Sequence, residues 1–375
     1  MRDFLLNNVL PFWMEHAVDY EHGGILTSVD REGNVYDYEK NVWFAGRAMY
    51  TYSVAYNEFD KNEKYLEVAK VMYDFLPKCE LDSTGRLPFI SARDGRCIEK
   101  RRFYFSETFA AIGCAEYYLA TGIEEAKERA EKYFDIAYSI YTADLNVEND
   151  PISPRPMTKS LGPSMILLST SQVLRKLNKE KYDKIAKECA DEILTHFIVG
   201  KGLLENVGLN GEFIDTQIGR EVNPGHSLEA AWFLMAEGVY GNNSHYISKA
   251  KEIIDISMKL GYRDGGIIAF CDCDGKPSSQ LEWDMKIWWP QCEAMIANRL
   301  AYAVLGDEKY LRDFEAIRDY CFARYPDPVH GEWYGYLHAD GTVANTLKGN
   351  VSKGPFHLPR MLMLIDKLEN GKTIL

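Results

Sequence analysis

The chain has 375 residues, of which 46% are hydrophobic and 26% charged, and its formal net charge is −13. This balance excludes a disordered or collagen-like chain, and the acidic excess argues against a nucleic-acid-binding protein, which would present a clustered basic face. The aromatic content of 13% is unusual, and aromatic side chains in such numbers fill cores and line pockets for sugars and apolar ligands.

Hydrophobic periodicity predicts twelve helices along the chain. In order they lie at about residues 2–20, 41–59, 63–78, 103–121, 123–141, 162–177, 180–197, 225–240, 244–261, 286–305, 308–325 and 355–369. Short turn-like links, such as 60–62 and 306–307, join the helices in pairs, and long links separate the pairs. Several long links have the pattern of small β-hairpins, most clearly at residues 24–36. The chain is therefore predicted to form six helical hairpins.

The two helices of each hairpin differ in character. Helices in odd positions have one apolar stripe, as at 124–132, whereas those in even positions are apolar on most sides, as at 228–236. A striped helix faces solvent and a helix that is apolar all round is buried. We therefore expect an all-α, (α/α)6 barrel over residues 1–375 as a single domain. An open α-solenoid is the alternative, but the chain lacks polar capping repeats.

In such a barrel the long links and the N-termini of the six inner helices meet at one end. The residues that this arrangement brings together there are Trp43, Arg47, Glu107, His226, Glu229, Trp289, Glu293, His357 and Arg360. Two histidines indicate proton chemistry, because a helix N-terminus favours the neutral imidazole that acts as a base. Glu229, three residues after His226, is expected to orient that ring. Either Arg47 or Arg360 is expected to stabilise a developing oxyanion.

Each residue also has a purely structural explanation. A histidine at a helix start can be a cap, the tryptophans can be packing residues, and Arg47 can pair with a buried carboxylate such as Glu293. Residues 331–335 can form a simple turn. His330 and His338, which flank it, have side chains able to bind a metal, but we expect no metal site. No dinucleotide, P-loop, nucleophile-elbow or HExxH motif is present. It is the joint placement of these residues that favours a functional site.

Three motifs resemble the N-acylglucosamine 2-epimerase family. They are Asn-Pro-Gly-His-Ser-Leu-Glu-Ala at 223–230, Trp-Trp-Pro-Gln-Cys-Glu-Ala at 288–294 and Lys-Gly-Pro-Phe-His-Leu-Pro-Arg at 353–360. The resemblance implies an (α/α)6 barrel that interconverts N-acetyl-D-glucosamine and N-acetyl-D-mannosamine. It also implies that His226 and His357 are the acid/base pair and that Arg47, Glu229, Trp289 and Glu293 are pocket residues. We further expect Trp43 and Trp333 to wall the sugar pocket, with Glu107 and Arg360 in contact with substrate.

The same family includes cellobiose 2-epimerases and aldose–ketose isomerases. These often carry a tryptophan five residues before the last histidine, where this chain has Ser352, and a further histidine on the sixth helix, which is missing from 156–165. Both departures favour the N-acyl branch. Some members of the family need ATP as an activator, although no phosphate loop is visible here, and the family also suggests a homodimer.

Two other functions are consistent with these residues. A glycoside hydrolase on the same barrel would use Glu107 and Glu293 as its two carboxylates, and a helical sugar-binding or partner-binding protein would need no catalysis. No signal peptide or membrane span is evident. Eight cysteines without a framework spacing indicate reduced, packing residues, so we expect a cytoplasmic protein.

Overall fold

The computed structural model of the chain describes residues 1–100, 104–142, 158–198 and 201–375. Its twelve main helices are α1 (residues 2–16), α2 (Val42–Glu58), α3 (Glu63–Phe75), α4 (Phe105–Thr121), α5 (Glu124–Thr142), α6 (Leu161–Leu174), α7 (Lys179–His196), α8 (Pro224–Tyr240), α9 (Ser244–Gly261), α10 (Trp288–Leu305), α11 (Glu308–Arg324) and α12 (His357–Glu369). All twelve predicted helices are therefore present. The predicted start of α4 at Phe103, and residues 156–157 of the 156–165 comparison, lie outside the described residues.

Helix α1 is shorter than predicted and is not uniform. Arg2–Phe4 and Leu10–His16 are α-helical, and Leu5–Val9 between them is π-helical. After the helix ends at His16, the chain turns back through Gly23 and Gly24, whose φ angles of 89° and 75° suit glycine. Val18 then pairs with Ile25 in an isolated antiparallel bridge.

Local capping explains where many helices begin and end. A side-chain oxygen of the residue before the helix accepts a hydrogen bond from a first-turn N–H in several cases, and these caps are Asn41, Asn62, Asn178, Asn223, Asn243 and Asp307. Helices α4 and α10 end at Gly122 and Gly306, both in the left-handed conformation that favours glycine at this position. Of these residues, Asn62, Gly306 and Asp307 belong to the turn-like links 60–62 and 306–307 that the sequence pattern predicts.

Short strands occupy the long links. They are β1 (Lys40–Asn41), β2 (Ile90–Ser91), β3 (Cys97–Glu99), β4 (Thr158–Ser160), β5 (Asn206–Gly208), β6 (Glu221–Val222), β7 (Tyr262–Arg263), β8 (Gly266–Ile267), β9 (Cys271–Asp272), β10 (Lys286–Ile287), β11 (Tyr336–Leu337) and β12 (Val343–Asn345). All pair antiparallel, as β1-β2-β3, β10-β11-β12, β4-β5, β6-β9 and β7-β8. The predicted hairpin at 24–36 is reduced to a bridge between Val29 and Val35, because Asp30–Gly33 form a tight turn directly between them.

The even-numbered helices form an inner ring. Helix α8 is buried almost continuously from Ser227 to Gly238, whereas α5 buries one stripe made of Ala126, Ala130, Tyr133, Phe134 and Ala137. Helices α2, α4, α6, α8, α10 and α12 contact one another in that order, and α12 contacts α2. The ring is therefore closed, which overturns the open-solenoid alternative. In the described part of the chain no helix is both long and apolar enough to cross a membrane.

Helices α2 and α4 pack backbone against backbone. A Cβ atom added at Gly46 would lie 2.3 Å from the carbonyl carbon of Phe109, and one added at Gly113 would lie 2.6 Å from the carbonyl oxygen of Gly46. Only glycine allows this approach. It brings Arg47, the residue after Gly46, against the ring of Phe109.

Candidate active site

A cavity of about 440 Å³ opens where the long links meet the N-termini of the inner helices. Seven of the ten predicted site residues line it, namely Trp43, Arg47, His226, Glu229, Trp289, His357 and Arg360. They come from α2, α8, α10 and α12, so the closed ring is what assembles them. Glu107, Glu293 and Trp333 are not among the lining residues.

Both predicted histidines pack against one tryptophan. The imidazole centroids of His226 and His357 lie 4.9 Å and 5.6 Å from the indole of Trp289. His226 is in the first turn of α8, which Asn223 caps, and His357 is the first residue of α12. Since α10 lies between α8 and α12 in the ring, its first turn places Trp289 beside both imidazoles.

The partner of His226 is Glu205. The Nδ1 atom of His226 lies 3.1 Å and 3.2 Å from the two carboxylate oxygens of Glu205. Burial by itself would lower the pKa of His226, but the charge of Glu205 and its hydrogen bond, assisted by Glu229 and Glu293, raise that pKa above its usual value. The environment of His226 therefore favours the protonated ring. The expectation that Glu229 orients His226 is wrong, because Glu229 accepts a hydrogen bond from Arg360 instead.

His357 has the opposite electrostatic environment. Burial, together with the positive charges of Arg360, Arg47 and His226, holds the pKa of His357 well below its usual value. Its Nδ1 atom lies 2.8 Å from Oε1 of Glu293. A carboxylate can only accept, so Nδ1 of the neutral ring carries the proton and Nε2 keeps a free lone pair. His357 is thus arranged as a base.

Glu293 is a fully buried residue behind His357 rather than a residue of the cavity wall. It accepts hydrogen bonds from His357, from Arg360 at 2.8 Å and from the indole N–H of Trp232 at 2.8 Å. The proposed pairing of Arg47 with Glu293 is not seen, because Arg360 occupies that position. Glu293 therefore fixes the ring of His357, as carboxylates commonly do for functional histidines.

Arg47 is a half-buried cation without a hydrogen-bond acceptor or ion-pair partner in the described part of the chain. Its guanidinium carbon lies 4.0 Å from the ring centroid of Phe109 and 4.7 Å from that of Phe356, and its Nε is buried without a hydrogen-bond acceptor. Burial lowers the pKa of Arg47 to about 9. Its N–H groups are free to stabilise negative charge that develops in the cavity.

Glu107, which was predicted to contact the substrate, lies away from the cavity. Glu107 is fully buried and accepts hydrogen bonds from Nε of Arg86 at 2.6 Å and from the backbone of Leu87 at 2.9 Å. It lies two residues from both Phe105 and Phe109, which face the cavity, so the helical period directs it to the other side of α4. The Glu107–Glu293 pair required by a glycoside hydrolase is therefore not on the cavity wall.

Trp333 lies in the core rather than on the pocket wall. Its side chain is fully buried, stacks on Tyr325 at a centroid distance of 5.1 Å and packs edge-on against Phe322. Phe322 lies in the last turn of the outer helix α11, and Tyr325 is the residue that follows this helix. The aromatic side chains that line the cavity include Trp289, Trp43 and Phe356 instead.

One group of side chains offers three potential metal ligands. Ligand atoms of Glu229, Glu293 and His357 lie within 4.8 Å of one another. The guanidinium of Arg360 bonds to both carboxylates, so an arginine already supplies the positive charge at this position. Within the described ranges, His330 and His338 do not belong to such a group.

Two residues of the site, Glu205 and Trp232, are not among those predicted from the sequence. Trp232 follows Glu229 by three residues on α8, so the helical period was a usable signal for it. Glu205 lies in the 198–224 link beside β5, and no motif or spacing marks it. Its position depends on the pairing of β5 with β4 and on the hydrogen bond from its N–H to the carbonyl of Glu221.

Comparison with known proteins gives consistent results. A sequence model of the N-acylglucosamine 2-epimerase (GlcNAc 2-epimerase) family matches residues 23–357. The N-acylglucosamine 2-epimerase of Bos taurus is 35% identical over 98% of this chain and 90% of its own length. The cellobiose 2-epimerase of Eubacterium cellulosolvens is 25% identical over 97% and 96%. The solved structure of the cellobiose 2-epimerase from Bacillus thermoamylovorans B4167 superposes with a TM-score of 0.84 at 24% identity over 98% of both chains. This likeness confirms the predicted barrel.

Proposed function

The chain belongs to the N-acylglucosamine 2-epimerase family, a family of sugar epimerases, and from this we propose that it interconverts N-acetyl-D-glucosamine and N-acetyl-D-mannosamine. The proposal includes His226 and His357 as the two residues that exchange the proton at C2. The observation that carries it is the pair of imidazoles with opposite pKa shifts beside Trp289 in one cavity. Environments that separate the pKa values of two titratable groups are typical of an acid and its complementary base.

The chemistry begins with the ring-opened sugar, whose C1 aldehyde makes the C2 hydrogen acidic. In one direction Nε2 of His357 takes that proton, and the electron pair of the C2–H bond moves onto the carbonyl oxygen as an enolate. The protonated His226 then delivers a proton to the other face of C2, and the carbonyl re-forms. In the reverse direction the two histidines exchange roles. Proton transfers of this kind contribute about 10²–10⁴ in rate.

The remaining cavity residues have supporting roles in this scheme. Arg47 stabilises the enolate oxygen, because its guanidinium has no competing acceptor among the described residues and lies between aromatic rings. Glu205 favours the protonated form of His226, and Glu293 fixes the tautomer of His357. Arg360 joins Glu229 to Glu293 and is therefore assigned a positioning role, with Trp289 as the surface against which both histidines rest.

Two observations support a single amino sugar as the substrate rather than a disaccharide. Identity to the N-acylglucosamine 2-epimerase of Bos taurus, at 35%, exceeds the 25% to the cellobiose enzyme. Ser352, at the position where the disaccharide branch carries a tryptophan, is exposed and lines the cavity. A serine offers no stacking surface for a second sugar ring.

The proposal is tested by incubating the protein with N-acetylmannosamine in D₂O and following the C2 proton by NMR. The expected result is deuterium at C2 together with appearance of N-acetylglucosamine. Absence of exchange with this and other hexoses, in the presence and absence of ATP, would contradict the proposal. Cleavage of oligosaccharides without exchange at C2 would support the glycoside hydrolase instead.

Three further expectations from the family remain part of this proposal. ATP, which some members of the family need, is proposed here as an activator; it is not a reactant, because each bond broken at C2 is re-formed without a co-substrate. The protein is a homodimer, and it works in the cytoplasm. Initial rates at several ATP concentrations and sedimentation in solution test the first two, and cell fractionation tests the third.

A further inference from the structure

The cavity does not end at the histidines but continues along the barrel. Helix α2 lines it over its whole length with Trp43, Arg47, Tyr50, Val54 and Glu58, residues that share one face of the helix. At a rise of 1.5 Å per residue, Trp43 and Glu58 are about 22 Å apart along the axis. A sugar bound beside Trp289 therefore leaves a long lower part of the cavity, which we call the lower channel, below the level of Arg47.

The wall of the lower channel is mainly apolar. Its side chains come from α2, α4, α6 and α12 and include Val54, Ile112, Met165, Ile166, Met363 and Leu364. The hydroxyl groups of Ser169 and Thr170 on this wall donate to the carbonyl of Ile166 at 3.2 Å and 2.7 Å, and the hydroxyl of Tyr50 and the amide of Gln172 also line the cavity. A second sugar in the channel would find few replacements for its hydrogen bonds to water on a mainly apolar wall, which is unfavourable.

The far end of the lower channel is polar, but its charges are paired. Glu58 forms an ion pair with Lys367 at 2.8 Å, and Glu116 forms one with Lys176 at 2.7 Å. These pairs lie near the C-terminal ends of the inner helices, opposite the end that carries the histidines. The lower channel thus joins the candidate active site to the other end of the barrel through an apolar section.

An apolar channel that opens into the sugar site suits an aliphatic chain carried by the sugar itself. The substituent at the reacting carbon of an N-acyl hexosamine is the acylamino group, so its acyl chain starts beside the histidines. We propose that the lower channel is an acyl-chain site, and that the protein epimerises N-acyl hexosamines with straight chains of about six to eight carbons as well as the N-acetyl sugar. This inference rests on the proposed function and extends its substrate class.

A chain-length series tests the proposal with the unmodified protein. The substrates are N-acetyl-, N-butanoyl-, N-hexanoyl- and N-octanoylmannosamine, and the measurement is kcat and KM for each. The hexanoyl chain is four methylenes longer than the acetyl group, and burial of each methylene can raise affinity by up to about fourfold. We therefore expect KM to fall at least about tenfold from the acetyl to the hexanoyl sugar. A KM that stays constant or rises with chain length would overturn the acyl-chain site.

A blocking substitution locates the site. Ile112→Trp fills the channel from α4, and Leu119→Trp is the matched control, because Leu119 is on the same helix but exposed. We expect the preference for the hexanoyl over the acetyl sugar, as a ratio of kcat/KM values, to fall at least tenfold in Ile112→Trp and to stay unchanged in Leu119→Trp. An unchanged ratio in Ile112→Trp would place the chain elsewhere, and Val54→Phe repeats the test from α2.

The outcomes separate this inference from the proposed function. If the N-acetyl sugar is epimerised and the longer chains are rejected, the acyl-chain site is wrong and the epimerase proposal stands. If no N-acyl hexosamine exchanges its C2 proton, the proposed function is wrong and the acyl-chain site falls with it. If Ile112→Trp does not fold, the chain-length series with the unmodified protein still decides the question.

Discussion

The carboxylate of Glu205 lies 3.1 Å from Nδ1 of His226 and raises the pKa of this ring. Both rings are in the first turn of an inner helix and both contact a glutamate. The ring of His357, however, also lies close to the positive charges of Arg360 and Arg47, and its pKa falls, whereas the pKa of His226 rises. One cavity thus presents a proton donor and a proton acceptor at the same pH.

Replacement of Glu205 by Gln is expected to change the pH dependence of one reaction direction. Glu205 raises the pKa of His226, so its removal lowers that pKa. When protonated His226 is the acid, activity is lost as the pH rises through the pKa, and the alkaline limb of kcat/KM therefore moves to lower pH. The measurement is a pH profile in both directions. Glu212→Gln, an exposed carboxylate of the same link, is the control, and equal profiles for both variants would exclude the role of Glu205.

Removal of either histidine is expected to lower kcat by about 10²–10⁴. The two variants should differ in what they retain. With His226→Ala, His357 can still exchange the C2 proton of one epimer, and with His357→Ala, His226 can exchange that of the other. NMR of each epimer in D₂O measures this difference. Near-normal turnover in either variant would end the two-histidine mechanism.

Replacement of Arg47 by Met is expected to separate activity from stability. Loss of an oxyanion donor costs about 10²–10³ in kcat. The thermal midpoint, in contrast, should stay constant or rise, because an apolar side chain replaces a guanidinium whose Nε is buried without an acceptor among the described residues. Enzyme kinetics and thermal unfolding of the same preparation test this. A large fall in Tm with unchanged kcat would show that Arg47 is structural.

The loop that leads to α12 is held by buried ion pairs, and this predicts a stability effect. Nζ of Lys353 lies 2.7 Å from Glu332, and both side chains are about 1% exposed. Lys353→Met leaves the carboxylate of Glu332 without its ammonium partner and should cost about 3–5 kcal/mol in unfolding free energy.

Adding Glu332→Gln to the same chain should recover much of that loss, because it removes the unpaired charge. Urea denaturation of the wild type, both single variants and the double variant measures the interaction. Single losses that simply add in the double variant would mean that the two residues act independently.

The amino-acid sequence alone predicts the twelve helices, their alternation between inner and outer positions and the placement of both histidines at inner-helix N-termini. Those features depend on local signals, namely the period of apolar residues and the capping Asn, Asp and Gly residues, and the family motifs agreed with them. Which side chains come into contact, in contrast, depends on how the helices and links pack in three dimensions. The glutamates that contact His226 and His357 are 21 and 64 residues away, and neither contact follows from spacing along one helix.

For the same reason, spacing along α8 predicts that Glu229 contacts His226, whereas in the structure Glu229 accepts a hydrogen bond from Arg360, 131 residues away. Glu107 and Trp333 are predicted at the cavity because they lie in segments that reach that end of the barrel. The rotation of α4 about its axis buries Glu107 on another side, and packing of the 331–335 turn against α11 buries Trp333. No sequence motif predicts the lower channel. It exists because four inner helices leave a gap between their apolar faces, and the size of such a gap depends on how whole helices pack against one another.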